Sequence, residues 1–166
     1  SKLIDKVFLL LKEKNLIYEG ILEKPLGDDG DDWEPRKQLL FRSTTFLDDS
    51  DRAFKKADGE WTYFANDAAY HYDKYQRGYD KLINIWGADH IGYIKRISAA
   101  TSALSDGKIV LVCRVCQLVK LFKNGQPYKM SKRAGDFISV REFLNEVDKD
   151  SIRFMMLNRS NDVELD

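Results

Sequence analysis

Charge of one sign and long apolar runs are both missing from this sequence. The 27 lysines and arginines balance 27 aspartates and glutamates, so net charge indicates neither a nucleic-acid nor a membrane partner. No apolar run approaches the roughly 18 residues that a membrane-spanning helix needs, and Lys2 and Asp5 interrupt the start, where a signal peptide would lie. The first residue is not Met, which favours a piece of a longer protein. The 43% hydrophobic content suffices for one globular domain or part of one.

Cysteine and histidine are scarce as well. Cys113 and Cys116 form a C-x-x-C pair, but zinc would need two further ligands, and the only two histidines, His71 and His90, form no ligand pair. A redox pair would lie at a helix N-terminus, whereas these cysteines fall in an apolar run over 109–119 that is typical of a buried strand. We therefore expect core cysteines, no protein-bound metal, and a reducing, cytoplasmic compartment.

The first third of the chain predicts a helix followed by β-structure. Apolar residues recur at helical spacing over 3–13, and a short strand is predicted over 17–22. An Asp-Gly pair at 58–59 indicates the turn of a β-hairpin. The acidic stretch at 27–32 lacks the glutamate that a calcium loop requires, since Leu39 stands in its place, and we expect a solvated loop there.

The remainder alternates strands with helices. In chain order the pattern predicts a helix over 66–76, a strand over 82–86, a turn at 87–90, a helix over 93–104, a strand over 109–119, a hairpin turn at 124–125, and helices over 140–147 and 149–158. This order is typical of a parallel α/β sheet with a right-handed crossover. Ligands of such sheets bind beyond the carboxyl ends of the strands, which points to Gly87, Asp89 and His90 and to residues 117–119.

Three cations fall within five residues in the segment 129–135, here called the lysine loop. Its sequence is Lys129-Met130-Ser131-Lys132-Arg133-Ala134-Gly135. Lysine ammonium groups can stabilise the charge that develops on a departing pyrophosphate, so the segment predicts a polyphosphate clamp. A solvated basic loop is the alternative, and it is usually the right interpretation of a short charge run.

Two further stretches carry residues suited to ligand binding. In 86–93, Gly87 allows close approach of the backbone to a ligand, and Asp89 can accept bonds from ribose hydroxyls; ordinary turn-and-cap chemistry is the alternative. In the other stretch, Asp67 is a natural partner for the planar donor fork of a guanidinium, with Tyr63 and Tyr70 placed to flank it and exclude water. On the bare sequence, Asp67 is more often an N-cap or first-turn acid.

These stretches together resemble arginyl-tRNA synthetases. The lysine loop is similar to the second signature of class I aminoacyl-tRNA synthetases, usually Lys-Met-Ser-Lys-Ser, and its Arg-Ala-Gly ending is similar to the arginyl branch. The Gly-Ala-Asp-His stretch at 87–90, followed by Gly-Tyr, resembles the ATP-ribose segment of bacterial arginyl-tRNA synthetases. Tyr63 and Asp67 match the pair that holds the amino-acid side chain in that family.

The resemblance implies a role for each matched residue. Lys129 and Lys132 are implied as catalytic, with Lys132 the principal stabiliser of the transition state for adenylate formation. The implied ATP-binding residues are Gly87, Asp89, His90, Gln117, Leu118, Val119, Lys129, Met130, Ser131, Lys132 and Arg133. The implied arginine-binding residues are Tyr63, Asp67 and Tyr70.

One further likeness is rejected. His90-Ile91-Gly92-Tyr93 looks like the first class I signature, His-Ile-Gly-His, but its fourth residue is tyrosine and the lysine loop follows too soon after it. We expect the first signature upstream of Ser1.

The resemblance also implies a fold and a division of the chain. The expected fold is α/β: the C-terminal half of a Rossmann-like class I synthetase catalytic domain, with a parallel sheet and flanking helices, a small β-rich insertion and a helical C-terminal end. Residues 17–62 are expected to form the insertion, of the type seen in α-proteobacterial enzymes. Residues 63–135 are expected to hold the second half of the nucleotide-binding fold, and 136–166 to lead toward an anticodon-binding domain.

The implied activity is that of arginine–tRNA ligase. ATP, with Mg²⁺, activates L-arginine to arginyl-adenylate, and the arginyl group passes to tRNA(Arg), whose presence this branch usually requires even for the first step. We expect the full-length enzyme to be a monomer without a membrane partner, and the isolated chain to be inactive and prone to self-association. Two alternatives remain: a non-catalytic, synthetase-related tRNA-binding module, and a nucleotidyltransferase of the same fold with another acceptor.

Overall fold

The computed structural model of the chain describes residues 2–23, 35–123, 125–128, 138–160 and 162–163. These residues divide into two compact units. The first unit comprises Ser1–Asn84 and Gly92–Cys113, and the second comprises Ile85–Ile91 and Arg114–Asp166. The solvated loop predicted at 27–32 lies outside the described residues and stays a prediction.

The first unit combines three helices with a small antiparallel sheet. Its elements are α1 (Lys2–Glu13), β1 (Ile17–Ile21), β2 (Lys37–Phe41), a 3-10 helix (Ser43–Phe46), β3 (Arg52–Lys55), α2 (Tyr63–Gln76), the start of β4 (Lys81–Gly87), α3 (Ile94–Ser105) and the start of β5 (Val110–Cys116). The helices predicted over 3–13 and 93–104 and the strand predicted over 17–22 are confirmed, because each begins and ends within one residue of its predicted bounds.

The small sheet has the order β1-β2-β3, and both pairings are antiparallel. Ile17 at the start of β1 lies opposite Phe41 at the end of β2. The predicted hairpin is confirmed: Gly59 has a φ of 87°, a conformation that favours glycine, and Lys55 pairs with Trp61 across the turn. This arrangement carries the chain directly into α2.

Aromatic and aliphatic side chains fill the space between this sheet and the helices. Phe54 is completely buried, with ring centroids of Phe64 at 5.9 Å, Trp61 at 6.0 Å and Phe8 at 6.3 Å. The other large apolar side chains that are fully buried are Val7, Leu11, Leu40, Phe41 and Ile97. Since burying one such side chain contributes about 1.5–3 kcal/mol, this core fixes α2 on the sheet.

Strands β4 and β5 form a two-stranded parallel sheet. Their first residues are adjacent, because the Val110 N–H donates to the Asp80 carbonyl over 3.2 Å, and α3 makes the connection between them. The expectation of a buried strand over 109–119 with core cysteines is wrong: β5 ends at Cys116, and both Cys113 and Cys116 are only half-buried. In the described part of the chain β5 pairs only with β4, so its apolar side chains are incompletely covered.

The second unit contains the ends of β4 and β5, a hairpin and two helices. Its further elements are β6 (Leu121–Lys123), β7 (Gln126–Tyr128), α4 (Val140–Glu146) and α5 (Lys149–Asn158). Leu121 pairs with Tyr128, as the predicted turn at 124–125 requires. Ser139 and Glu142 form a capping box at the start of α4, and Asp148 caps α5. Among the described helices, none is long and apolar enough to cross a bilayer.

Candidate functional site

Asp67 lies on α2, one turn later in the helix than the sequence predicted. The helix begins at Tyr63, because Thr62 adopts extended backbone angles and its hydroxyl accepts from the Ala65 N–H at 3.2 Å. Thr62 therefore supplies the N-cap, and Asp67 falls in the second turn. The interpretation of Asp67 as an N-cap or first-turn acid is wrong, and its carboxylate remains available for tertiary contacts.

That carboxylate is bound by a tyrosine from another element. The Tyr93 hydroxyl donates to Asp67 Oδ2 over 2.7 Å, and both side chains are half-buried. Burial raises the pKa of Tyr93, and the bond to Asp67 raises it further, so Tyr93 remains a protonated donor. Sequence reasoning missed this residue. In the sequence, Tyr93 belongs to the stretch that resembles an ATP-ribose segment and is the mismatch to the first signature, and nothing in the local pattern connects positions 26 residues apart.

Tyr63 and Tyr70 flank Asp67 along the same side of α2, one turn before it and one turn after it. They do not exclude water as expected: Tyr63 is 91% exposed and Tyr70 is 55% exposed. The Lys74 ammonium lies over the Tyr70 ring, 4.4 Å from its centroid. The outward direction of this face of α2 explains the difference, because a helical side chain is shielded only by what packs against it.

The backbone beside Asp67 is held by His71. Its Nδ1 lies 2.8 Å from the Asp67 carbonyl oxygen, and its Nε2 lies 2.8 Å from Asn84 Nδ2. A neutral ring with the proton on Nδ1 satisfies both contacts, since it donates to the carbonyl and accepts from the amide. Burial lowers the pKa of His71, which favours this neutral form. His71 therefore ties α2 to Asn84 of β4.

A cleft of about 1000 Å³ opens in the first unit beside Tyr63 and Tyr93. Arg96 lines it as well, with its guanidinium carbon 4.9 Å from the Tyr93 ring centroid. Arg96 Nε is buried and has no hydrogen-bond partner among the described residues. Burial lowers the pKa of Arg96, and the positive charge of Arg52 lowers it further. The cleft thus places open space next to the exposed ring of Tyr63.

A second carboxylate, Asp89, lies in the second unit just past the end of β4. Its Oδ1 would lie only 2.6 Å from a Cβ built on Gly87, so the carboxylate occupies the space that a side chain at position 87 would take. His90 Nε2 is 3.6 Å from Asp89 Oδ2, and the His90 ring lies 6.3 Å from that of Trp86. Gly87 is the last residue of β4, and Asp89 and His90 follow it in the 3-10 helix Ala88–Tyr93; their role as a ligand site stays a prediction.

Residues 117–119, which the sequence predicted to form the end of the strand, instead follow β5 in the same unit. The Gln117 side-chain oxygen accepts from the Leu118 N–H over 3.2 Å, and Leu118 and Val119 are 50% and 42% exposed. The lysine loop lies outside the described residues. Its role, like the ligand assignments of the other residues, stays a prediction.

Comparison with known proteins gives a consistent result. No family model matches the chain. The arginine–tRNA ligase of Parvibaculum lavamentivorans is 58% identical over 166 residues, which is 100% of this chain and 28% of that protein. The arginine–tRNA ligase of Pelagibacter ubique is 59% identical over the same 166 residues, again 28% of its length.

Solved structures agree with the sequence matches. A Campylobacter jejuni protein named as an arginyl-tRNA synthetase superposes with a TM-score of 0.77 at 36% identity, over 99% of this chain and 32% of that chain. The arginyl-tRNA synthetase of Plasmodium falciparum has a TM-score of 0.60 over 98% of this chain and 29% of its own, and at 18% identity it shows the shared fold alone.

The fold and the similarity along the whole chain define a segment of an aminoacyl-tRNA synthetase. More specifically, the chain belongs to the arginine–tRNA ligase family. It spans about 28% of the length of the curated relatives it matches.

Proposed function

We propose that this chain supplies part of the active site of an arginine–tRNA ligase. In the full-length enzyme, ATP activates L-arginine to arginyl-adenylate with release of pyrophosphate, and the arginyl group then passes to tRNA(Arg). The observation that supports the proposal is the half-buried carboxylate of Asp67. It accepts a hydrogen bond from the Tyr93 hydroxyl over 2.7 Å, and the exposed Tyr63 lies one turn earlier on α2.

The chemistry of the arginine side chain suits this arrangement. A guanidinium is planar and always charged, and its donors match the two oxygens of a carboxylate. Asp67 presents such a carboxylate on a helix that the Phe54 core holds in place. We assign the contacts with the arginine side chain to Tyr63 and Asp67, and also to Tyr70, which lies one turn further along the same face of α2.

We assign the ATP contacts to the sheet edge and to the lysine loop. We propose that Asp89 accepts bonds from the ribose hydroxyls, with Gly87 leaving room for its carboxylate, and that His90 and residues 117–119 also contact ATP. Lys129 and Lys132 are proposed to bind the phosphates, and Lys132 to stabilise the charge that develops on pyrophosphate. Mg²⁺ enters with ATP as part of the substrate.

The rest of the enzyme completes the site. The chain covers only 28% of its relatives, so we expect it to be inactive alone and to require the remaining segments for catalysis. We assign 17–62 to an insertion, 63–135 to the nucleotide-binding half and 136–166 to the connection toward an anticodon-binding domain. We also propose a cytoplasmic, monomeric enzyme.

Pyrophosphate exchange by the full-length enzyme tests the proposal. With tRNA(Arg) present, exchange should depend on L-arginine and not on other amino acids, and Lys132→Ala should lower kcat far more than it raises the arginine KM. Exchange supported by a different amino acid would favour another acceptor. Binding of tRNA without any binding of ATP would favour a non-catalytic module.

A further inference from the structure

Tyr93 reaches Asp67 from a separate element of the fold. It ends the 3-10 helix Ala88–Tyr93, whereas Asp67 lies on α2. The Tyr93 hydroxyl donates to the carboxyl oxygen Oδ2 of Asp67 over 2.7 Å, a distance typical of a well-formed O–H···O hydrogen bond. The bond therefore restricts rotation of the Asp67 side chain, which the surrounding exposed tyrosines do not restrict.

The donor itself is held in place. The Tyr93 ring is half-buried, and the Arg96 guanidinium carbon lies 4.9 Å from its centroid. A cation over an aromatic face is attracted to the ring electrostatically. The hydroxyl thus has a fixed position from which it donates to Asp67.

The bond also fixes the orientation of the two Asp67 carboxyl oxygens. A carboxylate offers about four lone-pair sites on two oxygens, and Tyr93 uses one of them on Oδ2. Oδ1 of Asp67 accepts no side-chain or backbone donor within the described part of the chain. A guanidinium fork needs both oxygens in a particular orientation, unlike an ammonium, which binds as a point charge.

We propose that Tyr93 is a positioning residue for the amino-acid side chain: it orients the Asp67 carboxylate toward a planar cation and acts through Asp67 without touching the substrate. This inference rests on the function proposed above. It assigns to Tyr93 an effect on arginine binding. From its position in the sequence alone, Tyr93 would instead be grouped with the adjacent residues proposed to bind ATP.

Steady-state pyrophosphate exchange by the full-length enzyme, with tRNA(Arg) present, provides the test. Tyr93→Phe removes the hydroxyl and keeps the ring against Arg96. We expect the arginine KM to rise about tenfold, with kcat and the ATP KM unchanged within twofold. Tyr79→Phe, on an exposed tyrosine whose ring lies against Arg77, is the matched control and should change none of these values.

A double-mutant cycle shows whether Tyr93 acts through Asp67. Asp67→Ala should raise the arginine KM strongly, and adding Tyr93→Phe to it should change that KM less than twofold. A full tenfold effect in the Asp67→Ala background would mean direct contact with the substrate and would overturn the positioning role. Thermal melting of each variant separates loss of binding from loss of fold, since a purely structural role would lower kcat and the melting temperature together.

The two failures are distinguishable. If Asp67→Ala leaves the arginine KM unchanged, the proposed side-chain site is wrong, and the role of Tyr93 falls with it. If Asp67→Ala raises that KM and Tyr93→Phe does not, or if Tyr93→Phe raises the ATP KM equally, only the inference about Tyr93 is overturned.

Discussion

The two carboxylates assigned to substrates, Asp67 and Asp89, are held very differently. Asp67 is half-buried and lies in the middle of α2. The Tyr93 hydroxyl donates to its side chain, and His71 Nδ1 contacts its carbonyl oxygen. The Asp89 side chain is 63% exposed, and its neighbour His90 lies 3.6 Å away. The first site is already ordered by the fold of this segment, whereas the second has less to restrain it.

This difference relates to what each site is proposed to bind. Fixing a carboxylate before the ligand arrives avoids an ordering cost at the moment of binding, which matters most where a planar fork must be matched. A ribose hydroxyl is less demanding, and the proposal gives ATP further contacts at residues 117–119 and in the lysine loop. We therefore expect substitutions at the Asp67 site to have large effects confined to arginine, and substitutions at the Asp89 site to have smaller effects confined to ATP.

The largest effect is expected from Asp67→Asn. The amide keeps the shape of the side chain and can still accept from Tyr93, but it removes the charge that faces the guanidinium. Losing one partner of a charge pair costs about 2–5 kcal/mol, so we expect kcat/KM for arginine to fall about 100-fold, or ~2.7 kcal/mol. The ATP KM should stay within twofold, and an equal loss for both substrates would mean that the two sites are not separate.

A smaller effect, on ATP alone, is expected from Gly87→Ala. The new Cβ would lie 2.6 Å from Asp89 Oδ1, so the carboxylate must move. Because Asp89 is exposed and can move at low cost, we expect the ATP KM to rise only about tenfold, ~1.4 kcal/mol. Gly92→Ala is the control, since a Cβ there meets nothing within 4 Å. An unchanged ATP KM in Gly87→Ala would remove Asp89 from the proposed site.

Local patterns in the sequence predicted most of the fold. The helices α1, α3 and α5 follow from apolar periodicity, and the hairpin at Gly59 follows from turn chemistry. Helix α2 begins at Tyr63, three residues before the predicted start at Asn66, because Thr62 supplies the N-cap. The degree of burial of β5 could not be predicted. An apolar sequence shows that a strand has surfaces it can bury, but it does not show which neighbouring elements are present to cover them.

The candidate site was predictable only in its individual residues. Gly87 and Asp89 were placed together because they are adjacent in sequence and follow a strand. The contact between Asp67 and Tyr93 joins residues that are 26 positions apart in the sequence, and no local periodicity predicts such a tertiary contact. Exposure of Tyr63 was missed for the same reason, since shielding depends on elements distant in sequence.

The two histidines beside these carboxylates, His71 and His90, should contribute differently to the pH dependence of stability. Burial lowers the pKa of His71 below its ordinary value of about 6.5, so the unfolded chain binds a proton more readily than the folded one. The free energy of unfolding should therefore be unaffected by His71 above pH 6.5 and should decrease as the pH falls below it. Denaturant titrations at pH 7.5 and 5.5 measure this decrease.

Substitution identifies the source of that decrease. His71→Gln should shrink the difference between the two pH values, although it lowers stability at pH 7.5 by removing the buried contacts to Asp67 and Asn84. His90→Gln, at a side chain that is 58% exposed, should leave the difference as it is. An unchanged difference in His71→Gln would show that other groups cause the loss at low pH.

The smallest effect is expected from Tyr70→Phe, and it tests how tightly the Asp67 site is enclosed. Tyr70 is 55% exposed, and the Lys74 ammonium lies 4.4 Å from its ring centroid, so its ring and not its hydroxyl makes the described contacts. We expect the arginine KM to change less than twofold. A rise as large as that predicted for Tyr93→Phe would mean that the Tyr70 hydroxyl turns toward the substrate when arginine binds. In that case the Asp67 site would be held in place before arginine binds on the Tyr93 side only. Asp67 and Asp89 would then differ only in the degree to which they are preorganised.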